Sequence, residues 1–504
     1  MPPKLSTSVD TTWANGLRGI ASLFVVSSHL VMCFARSMIP PNIGMDMPSR
    51  FYQLPFFRLA GQGNAWVAVF FVLLGYVNSL KPIQCSRMGR SADTLSNLAR
   101  SSFRRTGRLV FPAAAVTVIC WSLCQLGLLE LARRSDAFWL QETSPPPSET
   151  WLGGIWDLLK ELVGTWMYGA NKYDQPQWAL ASLFSGSMYA YLVLLCTCNA
   201  TGSFRLAVMV VLYFWNWVSD PSTVRISITA GMILSELSYL PIPKRSSKLN
   251  NFVCYCGALL GLYLCGFPDQ YASQCSWSRN LEHIGLRIFP ANANQGRYWP
   301  ALGSHILSAS ILYSSSLRNA LSTPFFNWLG GVSFPIYLLH GPLVRTVLTW
   351  ITFGFRALLN PPSSAGYVTI DRTAGGAQSP EPSVPRIAPS GRWATPDLNI
   401  IPQPNALAFV FIIPLFAAIL LFVCNLWSIH VEPYFGAATA WCERVAATWR
   451  KEADMDIFEN SEESESRRGS RGSGVETIYI TPKESPKGSP RRSLLPLTEK
   501  SLRE

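Results

Sequence analysis

The sequence has few charged residues for its length. Only 14% of its 504 residues are Asp, Glu, Lys or Arg, whereas soluble globular domains carry about 25%. Hydrophobic residues make up 49% of the chain, which favours a protein embedded in a bilayer. A membrane span needs about 20 apolar residues. We predict an all-α, polytopic helix bundle with about ten transmembrane helices, near residues 14–35, 64–80, 108–129, 178–198, 204–218, 223–240, 252–267, 300–317, 327–351 and 406–428.

Basic residues interleaved with aromatics, as in nucleic-acid-binding proteins, are missing although the net charge is +12. The positive residues instead cluster in alternate loops between apolar runs, as in ARSSFRRTGR at 99–108. The positive-inside rule places these loops and both chain termini in the cytosol. We therefore expect membrane lipid as a partner and no nucleic acid.

Motifs for metals and for soluble catalysis are also missing. No CxxC pair occurs among the 12 cysteines, and most of these lie inside apolar runs, so we expect no metal site. Cys265 and Cys275 either form one non-cytosolic disulfide or stay free, and free thiols are the expectation. The chain has no P-loop and no GxSxG elbow, and no H-x4-D arrangement begins at His29 or His340.

Two ionisable residues are present in the first apolar run. Arg18 and His29 are 11 residues apart, close to three helical turns, so they share one helix face roughly 16 Å apart. Ionisable residues at this depth normally face a bundle interior or an aqueous cavity. The alternatives are that Arg18 reaches lipid phosphates and that His29 only bonds a neighbouring helix.

A second histidine lies at a similar depth in the ninth run, and we expect His340 and His29 to converge on one polar cavity. Of the other three histidines, His305 lies near the start of a predicted span, and His283 and His430 lie in loops or at span ends. None of these three has a marked partner in the sequence.

Six stretches together resemble the membrane acyltransferase 3 family, in particular its fungal branch that acylates secondary metabolites. They follow one another in the family's order and cover most of residues 13–440. They are GLRGIASLFVVSSH, WVAVFFVLLGYVNS, FRRTGRLVFP, QWALASLFSGSM, RISITAGMILSEL and WLGGVSFPIYLLHGPL.

The resemblance implies an O-acyltransferase that uses acetyl-CoA or another acyl-CoA and acts on a small apolar substrate with a hydroxyl group. His29 would be the general base, since an imidazole has an unperturbed pKa of about 6.5. His340, Tyr337 or Ser333 would supply oxyanion donors, and the sequence does not choose among them. Arg18 would bind CoA phosphates.

The basic collar of Arg104, Arg105 and Arg108 would assist Arg18 in binding CoA, or would serve topology alone. Three positions depart from the family pattern. Leu183 replaces a glutamate, Leu74 a serine and Ala68 an occasional aspartate. Either the acceptor is altered or activity has been lost.

We divide the chain into a cytosolic N-terminus (1–12), a membrane domain (13–440) and a disordered cytosolic tail (452–504). Within the domain, residues 357–404 are rich in Pro, Ser and Gly and are expected to form a flexible non-cytosolic loop. The amphipathic stretch 151–169 predicts an interfacial helix or a re-entrant segment. The expected location is the endoplasmic reticulum or another endomembrane. The rival interpretations are a transporter and a catalytically inactive family member.

Overall fold

The computed structural model describes residues 9–42, 44, 47–240, 247–359 and 400–446. Residues 1–443 form one compact unit, and only the first three residues of the second unit, 444–504, are described. Most of the predicted N-terminus and most of the predicted flexible loop therefore lie outside the described residues, and so does the whole predicted disordered tail.

The described chain is helical, which confirms the all-α prediction. The first half contains α1 (Thr12–Phe34), α2 (Gly63–Arg87), α3 (Ser91–Gln125), α4 (Glu130–Arg133), α5 (Phe138–Thr143), α6 (Trp151–Met167), α7 (Trp178–Cys196), α8 (Gly202–Ser219) and α9 (Val224–Leu237). The second half contains α10 (Ser247–Cys265), α11 (Ser276–Ile288), α12 (Gln295–Tyr313), α13 (Ser315–Leu321), α14 (Pro324–Gly331), α15 (Ser333–Leu343), α16 (Thr349–Leu359) and α17 (Ala406–His430). A π-helix, Val344–Leu348, joins α15 to α16. Within the described ranges, extended pairing is limited to an isolated bridge between Ser135 and Ile401.

Helices lie at all ten predicted apolar segments. Five described helices, α1, α2, α3, α7 and α17, are long and apolar enough to cross a bilayer, and α10 is a shorter apolar helix. The ninth predicted segment, 327–351, is divided among α14, α15, the π-helix and α16. The chain is therefore a membrane-type helical protein, and the number of crossings stays a prediction.

Glycines allow close helix packing between α2 and α9. A Cβ on Gly75 would lie 2.0 Å from the carbonyl oxygen of Ile228, and one on Gly231 would lie 2.0 Å from that of Val72. No larger residue fits either position. Small residues serve the same purpose in membrane bundles generally, because hydrophobic burial does not drive helices together in lipid.

A buried ion-pair cluster fixes the ends of α2, α8 and α9. Glu236 accepts from Arg87 through Oε1 and from Arg205 Nε through Oε2 at 2.8 Å. Arg205 also donates to Ser86 Oγ at 2.7 Å. Because every charged group in the cluster has an opposite partner, these helix ends are held in one arrangement.

Helix α1 lies at the centre of the bundle. One of its faces contributes Trp13, Leu17 and Val25 to a core cluster shared with α2 and α12. The other contributes Val26 and Cys33 to a cluster shared with α3, α15 and α17. The polar side chains of α1 are consequently enclosed by protein, not by lipid.

Candidate active site

The two membrane histidines lie side by side in the centre of the bundle. The ring centroids of His29 on α1 and His340 on α15 are 4.9 Å apart. Both side chains are buried, and His340 is fully inaccessible. The sequence placed both residues at similar depth, and the packing of α15 against α1 brings their rings into contact.

Backbone hydrogen bonds fix the same tautomer in both rings. His29 Nδ1 lies 2.9 Å from the carbonyl oxygen of Val25. His340 Nδ1 lies 2.7 Å from that of Tyr337 and 3.1 Å from that of Ile336. A carbonyl oxygen can only accept, so each Nδ1 carries the proton and each neutral ring keeps a basic lone pair on Nε2. His340 Nε2 is buried and has no hydrogen-bond partner within the described ranges.

An arginine-lined cavity of about 570 Å³ lies near the N-terminal end of α1. Arg18, Arg105 and Arg108 all line it. Its lining also includes Val25 and Tyr337, which lie one helical turn before His29 and His340 respectively. The cavity therefore extends from a cationic mouth to within a turn of both imidazoles.

Close packing of α1 against α14 positions Arg18. A Cβ on Gly19 would lie 2.7 Å from the backbone nitrogen of Gly330, so glycine is needed for this approach. Arg18 Nη2 then donates to the Gly330 carbonyl at 2.7 Å. Arg18 Nε is buried without a hydrogen-bond partner among the described residues. This cationic group thus retains a donor for an anionic ligand.

The basic collar divides into two parts. Arg105 and Arg108 line the cavity, and Arg105 Nε donates to Ser187 Oγ on α7 at 3.2 Å. Arg104 is absent from the cavity lining and instead donates to Glu443 Oε2 at 2.8 Å. Consecutive residues on a helix point about 100° apart, so one collar residue can face the cavity while its neighbour faces outward.

The two predicted hydroxyl donors already have partners. Ser333 Oγ donates to the Gly330 carbonyl at 2.8 Å, and the Tyr337 hydroxyl donates to the Pro176 carbonyl. Each hydroxyl has one hydrogen, so neither is free for an oxyanion in this arrangement. Leu183 and Leu74, which replace polar residues of the family, also line the cavity.

The sequence analysis did not identify a buried ion pair between Arg345, which follows His340, and Asp174. Arg345, in the π-helix, donates to Asp174 Oδ1 at 2.9 Å and to the carbonyl of Thr143 at 2.9 Å. Both charged side chains are at most 1% exposed. An arginine inside an apolar run was the available signal, because such a charge needs a buried partner. The ion pair holds the turn after His340 against α5 and the segment before α7, and π-helices of this kind are frequent at functional sites.

Trp139 on α5 also escaped the sequence analysis. Its indole is buried and packs edge-on against His29, with ring centroids 4.9 Å apart. Trp139 also lines a second cavity of about 1080 Å³, formed by α5, α6 and the segment before α7. The pair of histidines therefore has an arginine-lined cavity on one side and an aromatic one on the other.

His305 is embedded in α12 and has two partners, contrary to the sequence interpretation. Its Nδ1 lies 3.1 Å from the Tyr213 hydroxyl, and its Nε2 lies 3.2 Å from Ser227 Oγ. Ser227 donates its only hydrogen to the Thr223 carbonyl, so Nε2 of His305 is the donor and Nδ1 accepts from Tyr213. Both ring nitrogens are satisfied, which is the pattern of a structural histidine.

Within the described ranges, the polar side chains form no candidate metal centre. Among the described residues, no group of three or more His, Cys, Asp or Glu side chains is arranged to hold a metal ion. All 12 cysteines lie in the described ranges and are free thiols, including Cys265 and Cys275.

Comparison with known proteins confirms the resemblance carried by the six motifs. The sequence profile of a family described as an acyltransferase domain matches residues 11–378. The chain is 27% identical to the O-acetyltransferase PaAT-1 of Phomopsis amygdali over 72% of this chain and 78% of that protein. It is 23% identical to the acyltransferase clz18 of Cochliobolus lunatus, over 66% of this chain and 82% of that protein. It is 22% identical to the acyltransferase R4 of a Phoma species, over 66% of this chain and 83% of that protein. No solved structure matches the chain.

Proposed function

The chain belongs to the acyltransferase 3 family, and from this premise we propose that it is a membrane-embedded O-acyltransferase. It transfers an acetyl or other short acyl group from acyl-CoA to a hydroxyl of a small apolar fungal metabolite, such as a terpenoid, a steroid or a polyketide. The observation that carries the proposal is the pair of buried histidines, whose ring centroids are 4.9 Å apart and which lie one helical turn beyond Val25 and Tyr337 in the lining of the arginine-lined cavity.

The donor binds in the arginine-lined cavity. CoA carries several phosphate charges, and guanidinium groups bind phosphate through paired, charge-assisted hydrogen bonds. Arg18, Arg105 and Arg108 supply three such groups around one cavity of about 570 Å³. The extended pantetheine arm then directs the thioester along α1 toward His29. Arg104, paired with Glu443, attracts the anionic donor to the entrance and does not hold it.

His29 acts as the general base. Its Nε2 accepts the proton of the acceptor hydroxyl as the hydroxyl oxygen attacks the thioester carbonyl carbon. The C–S bond then breaks, and the proton passes from His29 to the departing thiolate, which leaves as free CoA. His340 shares the transferred proton through its own Nε2, because a buried imidazolium needs a hydrogen-bonding partner.

For the membrane arrangement we propose the topology that the sequence predicts. Helices α8, α9, α10, α12 and the α14–α16 segment complete about ten crossings with the five long apolar helices. The arginine-lined cavity then faces the cytosol, where acyl-CoA is available, because the basic loops lie on that side. An endomembrane, with the endoplasmic reticulum first, is the proposed location.

Histidine replacements test the proposal. Membranes containing the wild type, His29→Gln, His340→Gln or His305→Gln are incubated with radiolabelled acetyl-CoA and an extract of fungal metabolites. We expect the first two variants to lose about 10²- to 10⁴-fold in labelled product, the usual contribution of a general base. His305→Gln, with equal amounts of folded protein, should retain the wild-type rate per folded molecule.

Equal labelled products from wild type and His29→Gln would refute the enzyme proposal. Solute uptake that does not depend on acyl-CoA would favour a transporter instead. If the wild-type protein binds acetyl-CoA but transfers no acetyl group to any component of the metabolite extract, an inactive family member is favoured.

A further inference from the structure

The aromatic cavity lies at the opposite end of the bundle from the arginines. Helices α5 and α6, which follow the C-terminal end of α3 in the chain, line this cavity. Arg18 and Arg105 lie in the N-terminal halves of α1 and α3. The volume of the aromatic cavity is about 1080 Å³. Small-molecule sites occupy about 300–1,000 Å³, so this cavity is large enough for a bulky polycyclic ligand.

Both lysines that line this cavity are paired with the carboxylate of Asp157. Lys172 Nζ donates to Asp157 Oδ2 at 2.6 Å, and the Lys172 backbone nitrogen donates to Glu161 Oε2 at 2.8 Å. Lys160 lies 3.5 Å from Asp157. The hydrogen bond from Lys172 holds the pKa of the Asp157 carboxyl below its usual value. A neutral ligand therefore suits the cavity better than an anion such as CoA.

Glu142 provides a polar contact for such a ligand. Its carboxylate lines the cavity and has no hydrogen-bond or ion-pair partner within the part of the chain that the structure describes. A carboxylate accepts hydrogen bonds from hydroxyl groups. An alcohol with a large apolar body matches this combination of one free acceptor and many aromatic walls.

The opening of the cavity is apolar. Trp156, Met167 and Tyr168 line it, and each remains at least 61% exposed to the surroundings of the protein. On the same helix, Trp151 and Leu152 are also exposed. An amphipathic helix with an uncovered aromatic face is typical of segments that lie in the interfacial region of a bilayer. The ligand can therefore enter sideways from the membrane.

We propose that the aromatic cavity, called the cleft from here on, binds the acceptor, a neutral bulky alcohol of sterol or terpenoid size. Trp139 is the movable wall between the bound acceptor and His29. Trp139 touches both the cleft and the His29 ring, so a rotation of one side chain would connect them. The proposal rests on the acyltransferase function, and it places donor and acceptor on opposite sides of the histidine pair.

Photolabelling tests the cleft without requiring turnover. The full-length protein in detergent is irradiated with a diazirine-bearing sterol that has a free 3-hydroxyl, and labelled peptides are mapped by mass spectrometry. We expect saturable labelling of α5 and α6. Leu159→Trp, which fills the cleft, should bind the probe about tenfold more weakly, the change that ~1.4 kcal/mol of binding free energy produces.

Leu152→Trp is the matched control, because Leu152 is 79% exposed on the same helix and does not line the cleft. It should label as the wild type does. Absence of saturable labelling of α5 and α6 in the wild type, or equal labelling of Leu152→Trp and Leu159→Trp, would overturn the acceptor site.

Hydrolysis of acetyl-CoA tests the wall. Without acceptor, Trp139→Ala should hydrolyse acetyl-CoA several-fold faster than the wild type, because water in the cleft reaches His29. Trp139→Phe keeps an aromatic wall and should hydrolyse acetyl-CoA more slowly than Trp139→Ala, and Trp151→Ala, an exposed change on α6 outside the cleft lining, should hydrolyse it at the wild-type rate. Unchanged hydrolysis by folded Trp139→Ala would refute the wall. If the probe labels the cleft but the protein transfers no acyl group, the acyltransferase function is refuted and the binding site stands. If the protein transfers acyl groups but the probe labels other segments, the acceptor site is refuted and the function stands.

Discussion

Donor binding is tested most directly by comparing two variants, Arg105→Gln and Arg104→Gln. The two residues are neighbours on α3, and each substitution removes one positive charge. Arg105 lines the cavity and donates to Ser187 Oγ, whereas Arg104 is 45% exposed and pairs with Glu443. The structure therefore predicts different consequences for two nearly identical changes.

The expected magnitudes follow from these surroundings. A hydrogen bond to a charged group contributes about 1.5–3 kcal/mol. Loss of one phosphate contact at Arg105 should raise the KM for acetyl-CoA about 10- to 100-fold, since each ~1.4 kcal/mol is a factor of ten. An exposed ion pair contributes only about 0–1 kcal/mol. Arg104→Gln should leave KM within about twofold of the wild type and reduce stability slightly.

The assay is initial-rate acyl transfer at varied acetyl-CoA, with folded protein quantified by size-exclusion chromatography. kcat should change little in Arg105→Gln at saturating donor, because in the proposed mechanism this arginine binds the donor and is remote from the reacting carbonyl. Equal KM values for the two variants, or a larger effect at Arg104, would refute the assignment of the arginine-lined cavity to acyl-CoA.

Two further changes test neighbouring parts of the site. Asp174→Asn should lower the free energy of unfolding by about 3–5 kcal/mol, because it leaves Arg345 charged and buried without its partner; thermal denaturation in detergent measures this, and an unchanged midpoint would contradict it. Leu183→Glu places a carboxylate in a cavity lined by arginines, so it should compete with CoA phosphates and raise the KM for acetyl-CoA about tenfold. A lower KM would instead indicate that the family's glutamate assists donor binding.

Most of the helical architecture could be predicted from the sequence. Helices occur at all ten apolar runs that the sequence marked, because burying a backbone away from water requires internal hydrogen bonds. The break of the segment 327–351 into α14, α15, a π-helix and α16 was not predicted. Pro335 and Pro342 interrupt the helical hydrogen bonding locally, and Arg345 within this segment is held by Asp174, which lies before α7 and far away in sequence.

The candidate site was predictable only in part. Helical periodicity placed Arg18 and His29 on one face, and both lie where α1 meets other helices. The same periodicity treated Arg104 and Arg105 as one collar. Which of them faces the cavity depends on Ser187 of α7 and on Glu443 near the end of the described chain.

The sequence by itself determined that this protein is an apolar helical protein of the acyltransferase 3 family, and it singled out His29 and His340 as candidate site residues. Apolar periodicity and short motifs are local properties, so they can be read along the chain. Only the tertiary structure decided that His29 and His340 touch, that Trp139 covers His29, and that two cavities approach the pair. These contacts join residues more than 100 positions apart, and they depend on how helices pack, which no local pattern specifies.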